Sequence, residues 1–348
     1  MPEFGERIIS KMTALEFTTP PKSRAWLFLL LRWAAALLIV ALLIHFLPMA
    51  PLREALSHIP LPRFAVLLVI YSLALTVGIL KWHLVVNSAD ARLPFAVSAQ
   101  CYAGGIFGAL FLPSIVGGDV VRLTVGISHS RRPTSVVTGN LTDRIVDMGA
   151  QLALAFSGMS LLAGSAPSLI LPSARRLLLI IAIAGVLLLL SLAALRPLLR
   201  GRAIRLRRRL VQVRRAIREV ARHPGRLLLS WLLGICVQGT FLSITMLLGI
   251  ACGLHLPLRV WLFAWPLSKM AAVLPITQGG IGVREAAMVA LLVPFGAPAA
   301  QVLATGIASE GIVIAGGLLA GLSAFLLRRQ GARRHRQAEP LASASQQT

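Results

Sequence analysis

The chain has 348 residues, 57% of them hydrophobic and 14% charged, with a mean hydropathy of +0.80. That composition leaves little sequence for a water-facing domain and points to a polytopic membrane protein. Lys and Arg number 35 against 12 Asp and Glu, a net charge of +23; the basic residues gather in loops and at the ends of apolar runs, so membrane topology accounts for them and no nucleic-acid partner is expected.

Residues 1–25 form a polar tail of mixed charge. It is too long and too mixed for a removable leader, so the first apolar run, 26–47, reads as an uncleaved anchor. The run 64–86 is a second span. Residues 95–112 are apolar, are broken at Pro113 and the pair Gly117-Gly118, and lead into the weakly apolar stretch 119–126. Basic residues return at Arg131 and Arg132, and runs 136–162 and 177–195 are further spans. Residues 196–226 then hold twelve arginines and one acid, Glu219. Within them Leu206, Leu210, Val213, Ile217 and Val220 recur at helical spacing, which reads as an amphipathic helix on the inner membrane surface, drawn to anionic lipid. The run 227–250 spans. Residues 258–274 break at Pro275 and Gly279-Gly280, runs 281–295 and 302–327 follow, and a basic tail covers 328–348. The three cysteines lie singly in or beside apolar runs with no CxxC spacing, and the histidines share no ligand spacing. They are read as packing residues, with no metal site and no cofactor expected.

One line of the sequence is written twice. LPSIVGGDVVR (Leu112 to Arg122) returns as LPITQGGIGVR (Leu274 to Arg284), at an offset of 162 (274 − 112). The same offset carries 64–86 onto 226–248 and 95–112 onto 257–274, so one unit is used twice, over about 64–162 and about 227–327. With the arginine loop placed on the cytoplasmic side, both termini fall there as well, and the two units run in opposite directions. Inverted units broken at matching Gly/Pro points are the common plan of secondary transporters. The stretch 95–126 is expected to be a re-entrant hairpin; 258–295 is either a second hairpin, from the other side, or two spans. The tips must be buried in protein or face water, because lipid cannot satisfy free backbone groups. The expected fold is an all-α polytopic membrane protein, an inverted repeat with about six to eight transmembrane helices, forming one membrane domain over 26–327.

Charges at membrane depth ask for a reason. Asn140, Asp143, Arg144, Asp147 and Gln151 share one helical side of the run 136–162; an ion pair that only pins helices, with Arg144 neutralised by the two aspartates, competes with a functional site. Asp119 and Arg122 follow the first Gly pair, Arg284 and Glu285 follow the second, and Glu310 lies inside the last span. Helix N-termini starting just after each Gly pair are natural anion seats, and with Arg122, Arg144 and Arg284 they make the interior a place for a phosphate. Lys269, Thr277 and Gln278 are secondary candidates. Lys81, near a span end, is expected to snorkel to the interface. Gly104/Gly108 and Gly317/Gly321 carry the GxxxG packing signal.

GGDVVR (Gly117 to Arg122) with LTDRIVD (Leu141 to Asp147), and LPITQGGIGVREAAMVALLVPFGAP (Leu274 to Pro298), resemble the lysylphosphatidylglycerol synthase transmembrane-region family. The resemblance implies a flippase-like domain that handles lipids. In the fused synthases of that family this part is thought to move an aminoacylated lipid to the outer leaflet. The chain is expected to be a stand-alone member without the aminoacyltransferase domain. Asp119, Arg122, Asp143, Arg144, Gly279, Gly280, Arg284 and Glu285 match the family motif by position, whereas Glu310 stands in a span where such proteins commonly carry a basic residue.

The expected function is therefore non-enzymatic translocation of a phospholipid or polyprenyl-phosphate-type lipid between leaflets of a bacterial cell membrane. Arg122, Arg144 and Arg284 would seat the phosphate, and Asp119, Asp143 and Asp147, with Glu285 and Glu310, would balance or gate it. The alternative is a non-transporting membrane partner of a lipid-modifying or glycosyl-transferring enzyme.

Overall fold

The computed structural model describes residues 60–111, 115–163, 218–272 and 282–344. The expected spans 26–47 and 177–195, most of the arginine loop, and the break points Pro113, Pro275, Gly279 and Gly280 lie outside the described residues, as do Thr277 and Gln278. Among the described residues all regular structure is helical: α1 (Leu61–Ser88), α2 (Phe95–Phe111), α3 (Ile115–Ser128), α4 (Pro133–Ala163), α5 (Pro224–Ala251), α6 (Leu258–Ala271), α7 (Val283–Leu292), a 3₁₀ turn (Val293–Phe295) and α8 (Ala299–Ala344). Prolines mark the starts: α1 and α5 carry one in the first helical positions and Pro257 precedes α6, where a missing N–H costs nothing. Four helices, α1, α4, α5 and the part of α8 up to Arg329, are long and apolar enough to cross a bilayer.

The directions follow from side-chain neighbours. Gly139 lies against Val86, Asn140 bonds Trp82 and Asp143 bonds Lys81, so α4 runs antiparallel to α1. Gly149 faces Trp231 near the start of α5, and Gly158 lies against Leu262 and Phe263, just beyond its end; α4 and α5 therefore run the same way. Tyr71 stacks on Phe241, while Gly234 lies beside Lys81, which sets α5 antiparallel to α1. Gly311 meets Phe64 and Gly316 meets Tyr71, so α8 runs parallel to α1. The two units α1–α4 and α5–α8 thus hold the same helices in the same order and in opposite directions.

Between the outer helices of each unit lies a hairpin. The limbs α2 and α3 meet through Gly105 and Gly118 and return to the face where α1 ends. The seam needs glycine because each residue lies against the other helix's backbone. At 17 residues α2 rises about 26 Å, short of a bilayer crossing with its return limb. The second hairpin settles the choice left open at 258–295. The Phe263 ring near the start of α6 packs on Phe295, just after α7, so entry and exit share one face. At 10 residues, or about 15 Å, α7 cannot span a hydrocarbon layer of about 30 Å. The hairpins enter from opposite faces, and each packs on the last helix of the other unit: α2 on α8, and α6 on α4. Gly317 and Gly321 take Leu110 and Phe107 in the first of these contacts, the role their spacing suggested.

Two apolar cores result, and both mix the units. Trp82, Val86, Cys101 and Tyr102 pack with Leu248 and Ile312; Trp261, Phe263, Leu267 and Met288 pack with Ala155 and Leu162. Outside, Val66, Val69, Leu73, Leu228, Leu232, Leu319 and Leu322 are exposed, an apolar belt that suits lipid. The ends are unequal in charge. Arg92, Arg131, Arg132, Arg218, Arg222, Arg328 and Arg329 lie at the end of the bundle where α1 finishes, whereas Arg63 and Arg259 lie at the other.

Because Gly158 lies directly against the backbone of α6, Gly158→Ala is expected to cost about 1–3 kcal/mol through overpacking. Gly239→Ala, with open space beside it, is expected to be neutral. Thermal unfolding of the detergent-solubilised variants checks both.

Candidate functional site

The polar side chains of the interior fall into two groups, one in each unit. In the first, α1 delivers Lys81 between two carboxylates of α4: its Nζ is 2.6 Å from Asp143 Oδ1 and 2.8 Å from Asp147 Oδ1. The spacing of four residues on α4 puts both acids on one side, and Lys81 is fully buried. The expectation that Lys81 snorkels to the interface is therefore wrong. Its helix continues to Ser88, a turn and a half or more beyond it, so its ammonium lies within the bundle. The pairing expected for Arg144 is also different. Its guanidinium forks onto Asp119 of α3, Nε to Oδ2 at 2.8 Å and Nη2 to Oδ1 at 2.7 Å, and the two α4 aspartates take Lys81 instead.

Arg122 lies between these sets, 3.8 Å from Asp119 and 3.9 Å from Asp143, with its guanidinium 4.1 Å above the Tyr102 ring. Space for it comes from Gly105, whose missing Cβ would meet the arginine stem, and Gly78 makes room for Tyr102 in the same way. Arg122 Nε and Asp143 Oδ2 are buried without a hydrogen-bond partner among the described residues. Trp82 donates to Asn140 at 3.0 Å and closes the side of the group.

In the second group Arg284, at the start of α7, holds two carboxylates at 2.7 Å each, Glu285 beside it and Glu310 on α8. Arg284 is the repeat counterpart of Arg122 (122 + 162 = 284), and both address an acid on the last helix of their own unit. The acid has moved, since the counterpart of Asp143 is Thr305 (143 + 162 = 305). The α7 N-terminus is not an open anion seat. Gly282, at φ +85°, donates its N–H to Glu285 Oε2 at 2.7 Å, so the helix's own carboxylate fills the place, and Gly306 leaves room for it. Nor does α3 begin after its Gly pair: it starts at Ile115, with Gly117 and Gly118 inside its first turn.

Arg122 and Arg144 thus come together around Asp119, while Arg284 belongs to the other group. A cavity of about 440 Å³ lies beside that second group, lined by residues of α1, α2, α5, α6, α7 and α8. Its walls are mostly apolar, and its charged lining residues among those described are Lys269, Arg284 and Glu310. Phe111, Ile314 and Leu318 also line it and are themselves exposed on the apolar belt, so among the described residues it opens sideways. Lys269 differs from every other interior cation. It donates to Gln238 Oε1 at 2.7 Å and lies about 5 Å from the Phe241 and Trp265 ring centres, yet it makes no ion pair among the described residues. Gln238 in turn reaches Asp147 at 3.5 Å, which links the cavity to the first group.

The sequence had signalled part of this. Gln238 is the one amide in the apolar helix α5, and an i,i+4 pair of acids on α4 calls for a cation on a neighbouring helix. Tyr102, Trp265 and Phe241 gave no signal, because aromatic residues in a span ordinarily only pack.

The family described as "Lysylphosphatidylglycerol synthase TM region" matches residues 30–337. No curated protein and no solved structure matches the chain.

Removing the ammonium from the first group strands two buried carboxylates. Lys81→Met is expected to cost about 3–5 kcal/mol, and Lys81→Met with Asp143→Asn and Asp147→Asn is expected to recover much of it. Thermal unfolding in detergent measures both.

Proposed function

The chain belongs to the lysylphosphatidylglycerol synthase transmembrane-region family, a membrane family of lipid-related function, and on that premise we propose that it translocates a lipid between the two leaflets of the bacterial cell membrane. The observation that carries this reading is the sideways-opening cavity with Lys269 in its wall. A lipid is polar at one end and apolar at the other, and so is this site. Its volume of about 440 Å³ falls within the range of small-molecule sites. A phosphate would meet the ammonium that has no carboxylate partner among the described residues, while an acyl chain would leave past Phe111, Ile314 and Leu318 into the bilayer.

The inverted hairpins supply a route to either face. Each barrier is one hairpin rather than a set of full spans, and rocking of one unit against the other exposes a fixed central site to each side in turn. Arg122, Arg144 and Asp119 support this motion by holding α3 on α4. The headgroup role expected of Arg122, Arg144 and Arg284 passes mainly to Lys269, because Arg144 and Arg284 already hold carboxylates at 2.7 Å. The reading is non-enzymatic, and phospholipids and polyprenyl phosphates both suit it. The basic end of the bundle faces the cytoplasm by the positive-inside rule. On this reading both termini are cytoplasmic, and the arginine loop, most of it outside the described residues, is expected on the same side.

The test is exchange of labelled lipid between leaflets of proteoliposomes. Lys269→Gln is expected to slow exchange about 30-fold or more, as loss of a buried charged partner costs roughly 2 kcal/mol or more. Gln238→Glu is expected to do the same without removing Lys269, because it places a carboxylate where Oε1 now lies. Native protein that moves neither a phospholipid nor a polyprenyl phosphate would contradict the proposal and favour a partner role beside a lipid-modifying enzyme.

A further inference from the structure

The two charged groups are closed in different ways. In the first unit Lys81 holds two aspartates, leaving one negative charge over (+1 − 2 = −1). Arg122 and Arg144 around Asp119 leave one positive charge over (+2 − 1 = +1). These excesses meet, Arg122 to Asp143, at 3.9 Å, and the first group is neutral in itself. In the second unit Arg284 holds two glutamates, again leaving one negative charge over (+1 − 2 = −1). The other charge at the cavity is Lys269, on another helix, which Gln238 links to Asp147 and which makes no ion pair with Glu285 or Glu310 among the described residues. The cavity is lined by both Lys269 and the Arg284–Glu310 pair. The hairpin tips outside the described residues, 112–114 and 273–281, contain no Asp, Glu, Lys or Arg and add nothing to this sum.

Among the described residues the cavity therefore presents one positive and one negative end that form no ion pair with each other, and with Glu285 counted beside Arg284 these charges sum to zero. Bringing a net charge into such a water-poor site leaves that charge or one of the protein's charges uncompensated. A group carrying both signs compensates both ends. We infer that the headgroup accepted here is net-neutral and zwitterionic, a phosphate joined to an ammonium, and not a net-anionic one; this rests on the translocation reading above. The phosphate takes Lys269, which Gln238 holds in place, and the ammonium takes Glu310 Oε1, its Oε2 remaining on Arg284. Tyr71, Phe241 and Trp265 beside them offer aromatic faces, which favour a cation. Glu310 is then a specificity residue: it decides what is joined to the phosphate, while Lys269 decides that there is a phosphate.

The experiment uses the full chain in liposomes made of equal parts phosphatidylethanolamine and phosphatidylglycerol, with an acyl-labelled tracer of one or the other. Native protein is expected to exchange the ethanolamine tracer faster by about 30-fold or more, the lower end of what an unpaired buried charge costs. Glu310→Gln is expected to reverse the ranking, since the cavity then carries a net positive charge. Native exchange of the glycerol tracer at an equal or greater rate would overturn the zwitterionic class and leave translocation standing. Exchange of neither tracer would overturn both. An unchanged ranking in folded Glu310→Gln would remove the ammonium from that carboxylate and overturn the assignment. Should that variant fail to fold, the native ranking alone decides.

Discussion

A charge held inside a bilayer must find its opposite, because neither lipid nor bulk water will solvate it there. Much of the interior of this protein follows from that constraint. Three helices of the first unit are tied by it: α1 supplies Lys81, α4 supplies Asp143, Arg144 and Asp147, and α3 supplies Asp119 and Arg122. The return limb of each hairpin is fastened to the last span of its unit by an arginine and an acid. The hairpin limbs α2 and α6 pack against the last helix of the opposite unit, while Phe107 and Phe111 of α2 and Val120 of α3 stay exposed on the apolar belt.

The repeat makes the two halves comparable, and their differences are more informative than their likeness. Where the first unit packs Arg122 onto Tyr102 and closes its charges by contact, the second pairs Arg284 outward to Glu310 and leaves Lys269 apart. Where Arg144 stands in the first unit, the second has Gly306 (144 + 162 = 306), and Glu285 occupies the space a side chain would fill. One half is a sealed clamp and the other a lined cavity. Gln238 joins them, accepting from Lys269 and donating towards Asp147. A charged group arriving at Lys269 is thereby felt by the residues that hold α1 to α4, which gives the proposed transport cycle a physical link between occupancy and helix packing.

Much of this architecture was legible in the sequence. Hydropathy gave the membrane class, and the doubled LPxxxGG line gave the inverted repeat and its hairpins. Charge rarity in apolar runs singled out Asp119, Arg122, Asp143, Arg144, Asp147, Arg284, Glu285 and Glu310, and the structure holds each of them in an interior ion pair. What stayed hidden was the pairing. Sequence spacing reports which residues share a helix face, but not which neighbour that face meets, so it does not show that Arg144 pairs with Asp119 of α3 or that Lys81 lies between Asp143 and Asp147. The hairpin at 258–295 was ambiguous because an apolar limb of 10 residues and a full span look alike when the boundaries are blurred by Val293, Pro294 and Phe295. The cavity had no sequence signal, since its walls come from six helices and no periodicity records an empty volume.

The central claim is that the ammonium of Lys269, which makes no ion pair among the described residues, and the carboxylate of Glu310 form the two ends of one lipid headgroup site. Native mass spectrometry of protein released from mixed phosphatidylethanolamine and phosphatidylglycerol nanodiscs tests it by binding alone, with no transport step. The account predicts that native protein retains one phosphatidylethanolamine and that Lys269→Met, folded to the same melting temperature, retains none. Equal retention by the two proteins would contradict it.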